Sequence, residues 1–383
     1  MLHPLVGHAE ARRALTRAHA AGTLPATLRV MGPRGIGKQR FALWLAQLVL
    51  CEAPGPEGPC GTCRHCRRVL KLEHPDLHWY MPLARPKGVS REKLQEALEA
   101  ARLDRLAELR EEPLRTSWDG EPTAIYLAAA RSLRKRSQSP AAEGREQVFL
   151  IGDAEALVPQ ASSPEAANAL LKLLEEPPPA SRFILTSSEP GRLLDTIRSR
   201  TIPLHLAPTD PEEALAFLVE RGYPREETRA ALALSGGSIG MALGYLPDEA
   251  GDMGPLEELR RKAFDILRAG LSPHSGDACA VALAYGPSGA RALIPLLDAL
   301  EVWLRDLAAV AAGAPGKVVN RDSASWLGKR IQDLGLHPAA IADALPEVET
   351  ARGEARGNVN PQLVVAGLAS RLRTALLSPL VTT

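Results

Sequence analysis

The chain has 383 residues, 46 basic and 45 acidic, and only 4% are aromatic. That length predicts two or three domains with ample buried core. The balanced charge gives no global attraction to nucleic acid or membrane, and so few aromatics argue against base stacking as the main activity.

The opening Met1-Leu2-His3-Pro4 lacks a charged segment leading into an apolar one. No apolar run in the sequence approaches the roughly 20 residues needed to span a bilayer. The expectation is a soluble, cytoplasmic protein.

The first informative element is a short apolar strand, Thr27–Met31, running into Gly32-Pro-Arg-Gly-Ile-Gly-Lys-Gln39, with an apolar helix over 40–50 behind it. Strand, glycine-rich loop and helix in that order make a phosphate-binding loop. Gly32, Gly35 and Gly37 let consecutive backbone N–H groups converge on phosphate oxygens, and Lys38 adds a point charge. The closing hydroxyl, which normally holds Mg²⁺, is replaced by Gln39. The loop therefore suits ATP or ADP but lacks one part of a hydrolytic site.

Four of the five cysteines follow at once, as Cys51-x8-Cys60-x2-Cys63-x2-Cys66. In a reducing compartment such crowding points to metal rather than disulfides. Four thiolates on one compact loop suit Zn²⁺ in a closed tetrahedral shell, which leaves no open position, so the site is expected to be structural. His65 and His74 stand nearby as substitute ligands that a full shell does not need. Cys279, in an Ala-rich helical stretch, reads as a small core residue.

A second strand is expected over 76–81, and an amphipathic helix over 90–112, within an insertion of about 85–120. Residues 131–136 carry four basic side chains and read as a solvated helix end. Strands are expected at Gln147–Ile151 and over 183–187. Between them Ser163 is a suitable N-cap, Pro164 suits the first helical position, and Pro177-Pro178 ends the helix after Glu176. Alternating strands and helices imply a mainly parallel sheet covered on both faces, an α/β P-loop domain over 1–206.

After Leu206 the strand signals stop. Helices are expected over 211–221 and 226–235, closing at Gly236-Gly237, and 245–255 reads as a linker. The remainder is helical, with one stripe formed by Leu293, Leu296, Leu297, Leu300, Leu304 and Leu307. A last helix is capped by Asn360 and carries Val364, Leu368, Leu372 and Leu376. These stripes are expected to be core or helix–helix contacts.

A hydrolytic P-loop enzyme also needs an acidic residue at the end of a neighbouring strand to hold Mg²⁺. Here that position is Gly152, followed by Asp153-Ala-Glu155. A shift of one residue along an extended strand would turn the Asp153 carboxylate to the opposite face. Two metal-holding groups thus look lost together.

The strings Asn168-Ala-Leu-Leu-Lys-Leu-Leu-Glu-Glu-Pro-Pro178, Phe183-Ile-Leu-Thr-Ser-Ser-Glu-Pro190 and Thr196-Ile-Arg-Ser-Arg200 resemble the clamp-loader AAA+ subunits of bacterial DNA polymerase III. The cysteine insertion is similar to the zinc module of that family, and Asn358-Val-Asn-Pro-Gln-Leu363 adds a weaker match. Motor members, gamma/tau, carry Thr or Ser after the P-loop Lys, Asp-Glu at the end of the neighbouring strand and a sensor arginine in the small helical domain. This chain has Gln39, Gly152-Asp153 and Gly237-Ser-Ile-Gly-Met-Ala-Leu243 instead. It is closer to the delta prime branch, whose site is defective.

The resemblance implies a small helical lid over 207–247 and a helical C-terminal oligomerisation (collar) domain over 256–383. It also implies partners among the other loader subunits (gamma/tau and delta), with the sliding clamp and primed DNA reached through the complex. Ser199-Arg200-Thr201 resembles the family's Ser-Arg-Cys motif, which implies that Arg200 is an arginine finger acting in trans on a neighbour's γ-phosphate. Thr201 departs from the usual Cys, and Arg198 is the ordinary surface arginine to compare it with. Ser187 and Ser188 fall at the family's sensor strand end. Two rival readings stand beside this one. The first is an active ATPase resembling gamma/tau. The second is a zinc-dependent DNA-binding protein using Arg64, Arg67 and Arg68.

Overall fold

A computed structural model describes residues 2–3, 5–90, 92–114, 123–157, 164–248 and 251–377. They form two compact units, which divide between residues 242 and 243.

The first unit opens with α1 (Ala9–Ala20), β1 (Thr27–Met31), α2 (Lys38–Leu50), α3 (Arg64–Leu70) and β2 (Leu77–Tyr80). An insertion follows: β3 (Leu83–Ala84), α4 (Leu94–Glu111) and β4 (Thr123–Ala124), with β3 and β4 paired antiparallel. Then come α5 (Leu127–Ser137), β5 (Gln147–Ile151), α6 (Glu165–Asn168), α7 (Leu171–Glu175), β6 (Ser181–Ser187), α8 (Asp195–Arg198) and β7 (Ile202–His205). Helices α9 (Pro211–Val219), α10 (Arg225–Leu234) and α11 (Ile239–Tyr245) close the run, and the division between units falls inside α11.

The main sheet has the order β2-β5-β6-β1-β7 and every pairing in it is parallel. Parallel strands need crossovers that cover both faces, which is why β1 and β5 are buried at every position. Leu28, Val30, Val148, Leu150 and Ile184 pack with the buried α2 on one side. Phe149, Ile151, Phe183, Leu185 and Ile197 pack on the other. The order brings the carboxyl ends of β5, β6 and β1 side by side, where ligands of open α/β sheets are held.

Strand β7 carries no period-2 signal and includes Pro203, which an edge strand tolerates because only one side of it is paired. The helix expected from Ser163 to Glu176 is broken. Ser163 lies outside the described residues, and α6 and α7 are separated by a tight turn in which the Leu170 amide donates to the Ala167 carbonyl at 3.1 Å. The four basic residues within 131–136 are solvent-exposed on α5.

The second unit is helical among its described residues: α12 (Pro255–Gly270), α13 (Gly276–Ala282), α14 (Ile294–Ala311), α15 (Ala324–Leu334), α16 (Pro338–Arg356) and α17 (Pro361–Leu377). The stripe from Leu293 to Leu307 and that of Val364, Leu368, Leu372 and Leu376 meet in one core. At the end of the first stripe the fully buried Asp306 accepts the amides of Val319 (2.9 Å) and Asn320 (2.7 Å) and the Asn320 side chain (2.8 Å). A buried carboxylate so satisfied pins the following loop. Cys279 is not a core residue: it is exposed on α13, because Ala278 and Ala282 take the inward face of that helix. Among the described residues no helix is long and apolar enough to cross a membrane.

Candidate functional site

The loop between β1 and α2 forms a cradle whose lysine and several of whose carbonyls are engaged within the chain. Lys38 is buried, and its ammonium donates to the Pro33 carbonyl at 2.7 Å and to Ser188 Oγ at 2.8 Å. Burial lowers its pKa, and Asp153 and Glu155 partly oppose that. Ser188 stands just past β6, so the strand end and the loop meet as the sheet order requires. Its amide donates to the buried Glu155 at 3.0 Å. The neighbouring Ser187 is buried, and its hydroxyl has no hydrogen-bond partner among the described residues.

Asp153 contradicts the expectation that its carboxylate faces away. It accepts the Gln39 side-chain amide at 2.8 Å, and its own amide donates to Thr186 Oγ1 at 2.9 Å. Strand alternation ends at Gly152, whose amide bonds the Tyr80 carbonyl at 2.8 Å. Asp153 then turns left-handed, with φ of 46°, which swings its carboxylate back to the loop. Burial raises the Asp153 pKa, and Glu155 adds to the rise. A Cβ at Gly152 would lie 3.0 Å from Trp79 Nε1 and 3.3 Å from Gln39 Nε2. Any larger residue there would have to displace both, so Gly152 and Gln39 are sterically coupled.

The start of α11 sits directly on the loop. The Gly240 amide donates to the Gly35 carbonyl at 2.8 Å, and Ser238 Oγ to the Arg34 carbonyl at 2.8 Å. Gly35 has φ of +76°, and a Cβ on it would fall 2.5 Å from Ser238 Oγ and 2.7 Å from the Met241 amide nitrogen. Gly32 and Gly37 take positive φ on either side of it, and Gly37 directly precedes α2.

The four clustered cysteines come together. Their sulfurs lie within 4.8 Å of one another, with Cys60 and Cys66 at 3.9 Å. A zinc–thiolate tetrahedron with bonds of about 2.3 Å has edges of roughly 3.8 Å, so the donor set fits that ion. Backbone amides already point at the sulfurs: Cys60 to Cys51 Sγ (3.3 Å), Cys63 to Cys60 Sγ (3.3 Å) and Cys66 to Cys63 Sγ (3.4 Å). The amides of Cys63 and Thr62 lower the Cys60 pKa to about 6, whereas burial raises those of Cys51 and Cys66. His65 and His74 bond each other at 2.6 Å rather than joining the shell. Arg64 and Arg68 share Glu143, at 3.4 and 2.6 Å, so two of the three arginines beside the cysteines are paired with a carboxylate of this chain.

Arg200 follows α8. Its Nε contacts Glu175 Oε2 of α7 at 3.1 Å, and Nη1 contacts the Thr196 carbonyl (3.1 Å) and Ser199 Oγ (3.4 Å). Its carbonyl accepts Thr27 Oγ1 at 2.9 Å, and the buried Thr201 bonds the Ile197 carbonyl at 2.9 Å, as a small buried residue at that position can. Arg198 is held within α8, by Asp195 at 2.8 Å. The contacts of Glu175, Trp79 and Ser238 carry no sequence signal, because each depends on elements distant in the chain.

The family model described as "DNA polymerase III, delta subunit" matches residues 7–210, just over half of the chain. The chain belongs to the DNA polymerase III delta-subunit family. Its curated relatives include DNA polymerase III subunit delta' of Escherichia coli K12, 31% identical over 60% of this chain and 57% of that protein. The delta' subunit of Bacillus subtilis 168 is 32% identical over 50% of this chain and 44% of that protein. DNA polymerase III subunit tau of Salmonella typhimurium is 28% identical over 60% of this chain and 30% of that protein. The chain thus spans about half the length of the delta' relatives it matches. Among these relatives the two delta' subunits are more similar than tau, and the family membership is of the delta prime type.

Proposed function

We propose that the chain is a non-hydrolysing subunit of the DNA polymerase III clamp loader. It would help assemble that complex and supply Arg200 in trans to a neighbouring ATPase subunit, so that the sliding clamp is loaded onto primed DNA. The observation that carries the reading is the Gln39–Asp153 hydrogen bond. In a hydrolytic site a hydroxyl and a carboxylate share Mg²⁺ at this place. Here a neutral amide takes the carboxylate instead, and a side chain at Gly152 would have to displace that amide. Lys38, whose ammonium would meet the phosphates, is spent on Pro33 and Ser188. ATP or ADP would have to break these contacts to bind.

In this reading residues 207–247 act as the lid over the cradle and 256–383 as the collar that joins gamma/tau and delta. Cys51, Cys60, Cys63 and Cys66 would hold a structural Zn²⁺, whose chemistry is to fix the loop that carries α3. Arg200 suits a trans role because a guanidinium stays charged and its planar fork matches phosphate oxygens. Replacing Arg200 by Ala in a reconstituted loader should leave assembly intact and slow ATP hydrolysis by the complex, with Arg198→Ala doing much less. One trans-acting arginine is worth roughly 10³–10⁵ in rate at its own site, diluted by the other sites in bulk turnover. Hydrolysis and clamp loading unchanged by Arg200→Ala would leave only an assembly role.

An active motor subunit is the second reading, favoured by the two carboxylates, Asp153 and Glu155, near Lys38. Metal-dependent turnover by the isolated chain, abolished by Lys38→Ala, would establish it.

A further inference from the structure

We propose that Glu175 is a positioning residue for Arg200, orienting its guanidinium before a neighbouring subunit's phosphate meets it. The inference rests on the trans reading of Arg200 and adds to it a residue on a separate helix. Three observations carry it. The Arg200 backbone is anchored from β1 by Thr27. Its Nη1 is bonded locally, to Thr196 and Ser199. Its Nε is bonded from a different element, by Glu175 at 3.1 Å.

The three side-chain contacts use Nε and Nη1, and Nη2 takes part in none of them. An arginine otherwise free to sample many rotamers is thereby held in one, and less freedom remains to be lost when an anion binds. The placement of Glu175 is specific. Helix α7 ends there, ahead of the Pro177-Pro178-Pro179 run, so the carboxylate stands at a helix end facing α8. Arg198 is the contrast: its partner Asp195 is 91% exposed and lies on the same short helix, an arrangement that fixes little. The Arg200 and Glu175 side chains are 29% and 54% exposed, accessible enough to meet a neighbour.

The test uses the reconstituted loader with Glu175→Ala, Glu175→Gln, Arg200→Ala and the double variant Glu175→Ala/Arg200→Ala. A half-exposed ion pair contributes modestly, so Glu175→Ala should lower kcat about fivefold with KM for ATP little changed. Glu175→Gln, which keeps an acceptor, should fall between that variant and the unaltered chain. Adding Glu175→Ala to Arg200→Ala should do nothing more, because the carboxylate acts only through the arginine. Urea unfolding of each variant and size-exclusion of each complex separate this effect from damage to folding or assembly. If Arg200→Ala slows the loader and Glu175→Ala does not, or if adding Glu175→Ala slows the Arg200→Ala loader as much as it slows the unaltered one, the positioning role is refuted. The trans reading of Arg200 would survive either result. If Arg200→Ala itself changes nothing, both fall together.

Discussion

The contact of α11 with the phosphate loop can be tested by adding one methyl group. At Gly240 helix propensity and packing pull in opposite directions. In an unconstrained helix interior, Gly→Ala stabilises by about 1 kcal/mol. Here the new Cβ would lie 2.8 Å from the Gly35 carbonyl oxygen and 2.9 Å from its Cα, both backbone atoms with no rotamer to yield. Forcing an extra carbon into such a contact costs about 1–3 kcal/mol. Stretching the Gly240–Gly35 hydrogen bond costs about 1 kcal/mol more. The net expectation is that Gly240→Ala destabilises the closed arrangement by about 1–3 kcal/mol, opposite in sign to its propensity. Hydrogen exchange resolved over 235–245 and over 27–31 reads this directly. The first segment should exchange roughly tenfold faster, whereas β1 should change less. Gly276→Ala is the control: it opens α13, its Cβ would meet nothing within 4 Å, and it should be neutral or stabilising. A Gly240→Ala protein with unchanged or slower exchange over 235–245 would show that α11 does not rest on the loop in solution.

Protein purified without added metal should carry one equivalent of zinc by elemental analysis, and Cys66→Ser should lose it and loosen α3 locally, because thiolate binding and folding are coupled there; four freely titratable thiols would exclude the site. The isolated chain should show no Mg²⁺-dependent ATP turnover with primed DNA present, and Gln39→Thr alone should not restore it while Gly152 supplies no carboxylate; steady-state phosphate release decides both. His78 is buried on β2 beside Phe149, and burial, then Arg136 and Arg102, lower its pKa from 6.5 to about 4. The unfolded chain therefore takes up that proton first: the contribution of His78 is full above about pH 6.5 and is lost as pH falls toward 4, by about 2 kcal/mol at pH 5. Urea unfolding at pH 7.5 and 5.0 should show a correspondingly smaller pH effect in His78→Gln; equal slopes would refute the assignment.

Local chemistry written in adjacent residues was legible in the sequence alone. The phosphate loop follows from Gly32, Gly35, Gly37 and Lys38 between an apolar strand and an apolar helix, and the cysteine spacing is short enough to close around one ion wherever the loop lies. The buried strands Thr27–Met31 and Gln147–Ile151 were legible for the same reason, since short, mainly apolar runs ended by glycine suit a parallel sheet covered on both faces. Only the tertiary structure decided what those parts face. Asp153 turns toward Gln39 because one left-handed residue ends the strand alternation, a torsion that composition does not encode. Cys279 is exposed because two alanines of its helix claim the core. Strand β7 forms because β1 offers it an unpaired edge, not because its own pattern demands a strand. The contacts of Gly240 with Gly35 and of Glu175 with Arg200 join residues 205 and 25 positions apart. Side-chain chemistry and short-range periodicity are local properties, whereas the partner of a buried or half-buried polar group is chosen by whichever distant element the packed sheet brings within hydrogen-bond reach.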